Sequence, residues 1–270
     1  MNPTEDLPLI LEAEQLVPLL GQEDLLIVDL CNPRLYSQSH VPGAVNVAPQ
    51  SMVSGVQPAA GKLPAIEQIN QMLSNIGYSE DKHIVVYDDE GGGWAGRFIW
   101  TLDVIGHKKY SYLNGGAHVW LKEGHPTEST INRPEPTQVN AQIDDAMLIS
   151  KDAIIASLED SDTVIWDARS AAEYRGEKVF AQRGGHIPGA VNLEWTLAMD
   201  HDRNLRIRGD IASILEQLGI TQEKKIITHC QSHHRSGFTY LVGKSLGYTI
   251  KAYDGSWSEW GNLPDTPIEV

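Results

Sequence analysis

A chain that runs through the same landmarks twice, in the same order, has to build one kind of structure twice. Here Ile27-Val-Asp-Leu, Tyr36 and His40-Val-Pro-Gly-Ala-Val-Asn46 return as Ile165-Trp-Asp-Ala, Tyr174 and His186-Ile-Pro-Gly-Ala-Val-Asn192. Ile84-Val-Val-Tyr87 returns as Ile226-Ile-Thr-His229, and Leu113-Asn-Gly-Gly with Trp120 as Tyr253-Asp-Gly-Ser with Trp260. The repeat spans about half the chain, which excludes a short solenoid period and means duplication of a domain. Ser129 to Thr137 is polar and rich in proline, as an extended linker requires. The expected division is residues 1–128, a linker over 129–145, and residues 146–270. The copies differ in one place: Tyr36 lies four positions before His40, whereas Tyr174 lies twelve before His186.

Within each copy, short apolar runs alternate with helical patterns. Leu25 to Val28, Ile84 to Val86, Val164 to Trp166 and Ile226-Ile227 read as buried strands. Ser170 with Glu173 three residues on forms a capping box, and Asn32-Pro33 places a cap before an N1 proline. Ile211 to Leu218 is apolar at helical spacing and stops at Gly219. Strands alternating with helices predict an α/β class, each copy a parallel sheet with helices on both faces. Ligands of such sheets sit beyond the carboxyl ends of the strands.

Net charge is −15 over 270 residues, so a nucleic-acid partner is not expected: neutralising phosphates needs a basic face. No run of apolar residues is long enough to span a membrane, and the first residues lack a basic region and an apolar core. Two cysteines cannot build a disulfide framework, and the reducing cytoplasm is the expected compartment.

The chemistry concentrates in Ile226-Ile-Thr-His-Cys-Gln-Ser-His-His-Arg-Ser-Gly237. A metal site would need ligands from two separated elements, and here His229, Cys230, His233 and His234 fall within six residues, so no metal is expected. A thiolate cradle fits better. A strand ends, the chain curls, and a helix begins near Arg235; inward N–H groups and the helix start stabilise an anion. A thiolate held there ionises below its ordinary pKa of about 8.5. Arg235 adds a fixed charge whose fork can take an oxyanion. Cysteine phosphatases space Cys and Arg by five residues; here the gap is four, a tighter ring suited to the single outer sulfur of a persulfide.

Together, these motifs resemble the bacterial tandem-domain rhodaneses, across nearly the whole chain. The residues that carry the likeness are the two His-x-Pro-Gly-Ala-Val-Asn segments, the closing Gly255-Ser-Trp-Ser-Glu-Trp-Gly261, and the loop Cys230-Gln-Ser-His-His-Arg235. The loop is close to a subgroup with Cys-Gln-Thr-His-His-Arg. The resemblance implies two rhodanese-like domains, the first inactive and the second catalytic. It implies sulfur transfer from thiosulfate to cyanide or small thiols through a Cys230 persulfide, with a protein sulfur acceptor also open and no cofactor. Asp88 aligns with Cys230, and its acidic, glycine-rich neighbourhood suits neither a persulfide nor a dinucleotide. Gln231 and Ser232 are expected to offer backbone N–H groups, and His233 or His234 a hydrogen bond to leaving sulfite. Arg175 and Arg183 lie in the longer stretch of the second copy and are candidates to steer anions. Trp195 is a candidate wall of the site. A persulfide carrier or redox sensor without rapid turnover is the alternative function, a phosphatase a weaker one.

Overall fold

The computed structural model describes Thr4 and residues 7–270. Two compact units are present. The first has a five-stranded parallel sheet in the order Ile10–Leu11, Tyr110–Leu113, His83–Tyr87, Leu25–Asp29, Val45–Asn46. The second repeats that order with four strands: Thr249–Ala252, Lys225–His229, Thr163–Asp167, Val191–Asn192. The fifth strand is reduced there to one parallel bridge, Leu148 to Ala252. Strands Leu25–Asp29 and His83–Tyr87 are buried along their whole length, as a parallel sheet covered on both faces requires. The α/β architecture read from the sequence is the one observed.

The repeated motifs recur because they do the same physical work. Tyr36 stacks on His40 with ring centroids 3.9 Å apart, and Tyr174 on His186 at 3.7 Å. The Tyr36 and Tyr174 hydroxyls donate to the carbonyls of Ala44 and Ala190, pinning the turn of each Pro-Gly-Ala segment. Asn46 and Asn192 donate to the carbonyls of Asp29 and Asp167 at neighbouring strand ends. Trp120 and Trp260 are core residues. Burying one such side chain removes roughly 200 Å² from water, worth about 5 kcal/mol before entropy is counted.

The division of the chain is not a single cut. Val53–Leu63 belongs to the second unit and Asp200–Arg206 to the first. The stretch expected to link the domains is extended, but it is bound along the first unit. Thr137 N–H donates to Ser74 O at 3.2 Å, Ala141 N–H to Asn70 Oδ1 at 3.0 Å, and Asp144 N–H to Val104 O at 2.7 Å. Hydrophobic periodicity says which residues are buried, not against which sheet an aperiodic segment lies.

Candidate active site

Strand Lys225–His229 runs out at the carboxyl edge of the second sheet, and helix Arg235–Ser245 begins six residues later. The five-residue curl between them carries Cys230, which is 1% exposed. Both cysteines are free thiols. The curl is held by the closing motif: Trp257 N–H donates to Cys230 O at 3.0 Å and Ser258 N–H to Gln231 O at 2.9 Å. Cys230 N–H points at Ser256 Oγ at 3.4 Å, and that hydroxyl donates to Tyr253 O. Ser256 holds φ at +52°, a left-handed conformation costing a non-glycine residue roughly 1–2 kcal/mol. In the first copy the matching residue is Gly116, at φ +56°. The second copy accepts the strain and gains a hydroxyl beside the cysteine.

The sulfur has its own partners. Ser236, in the first turn of the helix, donates its hydroxyl to Cys230 Sγ at 3.4 Å, and His233 Nδ1 lies 2.7 Å from the same Ser236 Oγ. Burial opposes ionisation of Cys230. The charge of Arg235 and hydrogen bonds from Ser236 and the Ser232 backbone outweigh it and hold the thiol below its ordinary value. Cys31 shows the reverse: burial, reinforced by Asp29, Asp89 and Asp88, pushes its thiol far up. Of the two thiols, only Cys230 sits where a thiolate is favoured.

Arg235 is not open to an oxyanion in the way its sequence position invites. Its two terminal nitrogens grip Glu173, Nη1 to Oε2 at 2.7 Å and Nη2 to Oε1 at 2.8 Å. Glu173 also completes the capping box with Ser170, so one carboxylate anchors a helix start and fixes the guanidinium. Burial disfavours the Glu173 carboxylate, but Arg235 and Ser170 hold its pKa down to about 2.

The remaining candidates fall into two groups. Gln231 Nε2 donates to Phe180 O at 3.3 Å, which brings the longer stretch of the second copy against the loop. Trp195 packs its ring 5.5 Å from that of His234 and 6.3 Å from that of Phe238. Arg175, by contrast, forks onto Glu177 at the surface. Arg183 spends its guanidinium on the carbonyls of Trp260, Leu263 and Thr266. Both arginines are committed to partners away from the sulfur.

Four contributors to the site escaped sequence reasoning: Ser236, Ser256, Glu173 in its second role, and the segment Val53–Leu63. That segment lies against the loop. A Cβ added to Gly61 would meet Ser232 O at 1.9 Å, Lys62 Nζ pairs with Glu259 at 2.8 Å, and Leu63 N–H donates to Asp254 at 2.8 Å. The serine after Arg235 was the one available signal, since a hydroxyl in a first helical turn faces back toward the preceding loop.

The first copy has the same framework with different side chains. Asp29 pairs with Tyr87 in the register where Asp167 pairs with His229. Asp88 stands where Cys230 does, and its carboxylate accepts the N–H groups of Glu90, Gly92 and Ala95 at 3.0, 2.8 and 2.9 Å. The amide cradle is therefore filled by the protein's own anion.

The chain is similar to known proteins along nearly its whole length. The Rhodanese-like domain model matches residues 12–123 and again 150–263. The chain is 51% identical to a thiosulfate sulfurtransferase of Azotobacter vinelandii and 49% identical to one of Pseudomonas aeruginosa, each over 100% of both chains. A sulfur carrier protein of Thermus thermophilus, TtuD, is 32% identical over 87% of this chain and 86% of its own. Among solved structures, a 3-mercaptopyruvate sulfotransferase of Escherichia coli, SseA, superposes with a TM-score of 0.82 at 24% identity, covering 93% of this chain and 99% of its own. An anaerobic ergothioneine biosynthesis enzyme from Chlorobium limicola reaches 0.85 at 20% identity, over 97% of this chain and 70% of its own. At those identities the structures speak for the fold. With the family model matched twice and whole-length similarity near one half, the chain belongs to the rhodanese family, carrying two copies of its domain in tandem.

Proposed function

We propose that the protein is a thiosulfate sulfurtransferase whose second domain does the chemistry, with Cys230 carrying the sulfur. One observation carries the reading most directly. Cys230 is buried in a curl where Arg235, Ser236 and the Ser232 backbone favour its thiolate, while the matching position of the first domain holds Asp88. Similarity to thiosulfate sulfurtransferases at about half identity supports the reaction class.

The cycle is ping-pong. The Cys230 thiolate forms a bond to the outer sulfur of thiosulfate, the sulfur–sulfur bond of the donor breaks, and sulfite leaves with the electron pair. Cyanide or a thiol then bonds to the outer sulfur of the persulfide, and the electron pair returns to Cys230 Sγ. Arg235 acts as a fixed positive charge held by Glu173 rather than as an oxyanion fork. Ser232 serves through its backbone N–H, and Gln231 ties the loop to Phe180. His234, tilted against Trp195 at the helix start, is the candidate to meet departing sulfite; Trp195 walls that side. Arg175 and Arg183 add at most a diffuse field, because both are paired elsewhere. A protein acceptor in the cytoplasm is in keeping with similarity to a sulfur carrier. Among the described residues no helix is long and apolar enough to cross a membrane.

The test is intact mass after incubation with thiosulfate alone. Wild type gains one sulfur atom and Cys230→Ala gains none; cyanide then removes the sulfur and thiocyanate appears. Uptake surviving in Cys230→Ala would sink the assignment. Uptake at Cys230 without rapid release to cyanide would favour a carrier over an enzyme.

A further inference from the structure

We propose that Ser236 and His233 form a two-member hydrogen-bond chain that stabilises negative charge on Cys230 Sγ as the persulfide surrenders its outer sulfur. Ser236 touches the reacting atom, and His233 positions the Ser236 hydroxyl. The inference rests on Cys230 being the sulfur carrier.

Proton counting carries the argument. A thiolate can only accept, so the one Ser236 proton must point at Sγ. The Ser236 oxygen is then an acceptor, and His233 Nδ1, 2.7 Å away, must carry a hydrogen. The chain therefore holds His233 with Nδ1 protonated whenever Cys230 is ionised. Both side chains are fully buried, where hydrogen bonds to an ion are at their strongest. His233 stands at φ +55°, and that left-handed turn is part of how the loop brings its ring to Ser236.

The consequence is asymmetric between the two half-reactions. In the persulfide the charge sits on the outer sulfur, and Sγ is a neutral, weakly accepting atom. When an acceptor bonds to the outer sulfur, the sulfur–sulfur bond breaks and the electron pair moves onto Sγ. The Ser236 hydroxyl meets the charge as it develops there, so the chain assists the leaving group. In the first half-reaction the same bond is made to the attacking thiolate in the ground state, and it does not accelerate attack.

Other charges around the loop stay constant in the variants needed. They are Arg235 with Glu173, and Asp167 with Arg169 and His229 at the adjacent strand ends. Lys62 and Glu259 pair on the segment and motif that flank the curl.

The experiment uses the full chain as wild type, Ser236→Ala, His233→Gly, His233→Asn, and the Ser236→Ala/His233→Gly double variant. Glycine and asparagine both tolerate positive φ, so neither is confounded by the turn; asparagine alone retains a donor. Cys230 alkylation is followed against pH, and sulfur loading from thiosulfate and cyanolysis of the loaded protein are timed separately. Ser236→Ala is expected to raise the alkylation midpoint by about one pH unit and slow cyanolysis about tenfold. Loading above the midpoint should change by less than about threefold, the scatter of an indirect effect. His233→Gly should act in the same direction and add nothing in the double variant, and His233→Asn should recover most of the loss. Equal slowing of both half-reactions, additive single effects, or an unmoved midpoint would each overturn the chain. Failure of the underlying reading looks different: wild type would take up no sulfur at Cys230.

Discussion

Asp88 and Cys230 occupy one position in two copies of the same framework. Each follows a central strand, and each carbonyl accepts a hydrogen bond from the same point of the closing turn, from Ala117 N–H at 2.9 Å and from Trp257 N–H at 3.0 Å. The difference lies in what fills the cradle. In one copy a carboxylate on a short stem accepts three amides; in the other a thiol sits there, with the Ser236 hydroxyl beside it.

Asp88→Ala should therefore damage stability and leave the chemistry alone. Three N–H groups lose a buried acceptor, at a cost on the order of 3 kcal/mol if part of the loop relaxes to water. Urea denaturation should show the first domain weakened, while sulfur uptake at Cys230 persists. A loss of uptake in folded Asp88→Ala would give the first domain's loop a part in the reaction.

Glu173→Gln separates the two tasks of that residue. Glutamine still serves a capping box, so the helix start survives, but Arg235 loses its counter-charge. The uncompensated guanidinium should lower the Cys230 alkylation midpoint by something on the order of one pH unit, opposite in sign to the effect of Ser236→Ala. An unchanged or raised midpoint would mean that Arg235 leaves the loop when released.

Gly61→Ala tests the segment laid against the loop. Its Cβ would stand 1.9 Å from Ser232 O, a backbone atom that cannot step aside without moving the curl. Sulfur loading should fall at least tenfold, about 1.4 kcal/mol, in protein still folded at the assay temperature, with a melting temperature lowered by the overpacking. Normal loading would show that the segment is an incidental neighbour.

His83 predicts acid sensitivity in the first domain. It is buried against Ser111 at 2.8 Å, and burial, with His107 and Lys109 adding to it, pushes its pKa down to about 4 from 6.5. The unfolded chain then binds more protons between pH 6.5 and 4, so stability falls as pH drops through that window, by at most about 1.4 kcal/mol per unit. Urea midpoints at pH 7 and pH 5 should differ in wild type and differ less in His83→Gln, the remainder coming from His107 and His229, whose pKa values burial also lowers.

The duplicated framework and the parallel sheets were legible in the sequence because each rests on local chemistry, and the same local chemistry singles out Cys230 as the candidate. Strand burial is visible as apolar runs, caps as Ser170, Glu173 and Asn32, and the active curl as a reactive residue between a strand and a helix. The position of Arg235 suggests an oxyanion fork, and its carboxylate partner is not legible beside it for a reason of distance in the chain. Its partner Glu173 lies sixty-two positions away, and its own spacing explained it fully as a cap.

What the sequence by itself determined is therefore the alternation that makes two α/β sheets, with Cys230 placed directly after a strand. What only the tertiary structure decided is how that sulfur is served. Ser236 gains meaning from His233 at its back, Ser256 from the left-handed turn it adopts, and Gly61 from the Ser232 carbonyl it meets. Those are contacts between groups that no periodicity links. They exist because close packing leaves each atom of the curl one set of neighbours, and packing is settled in three dimensions.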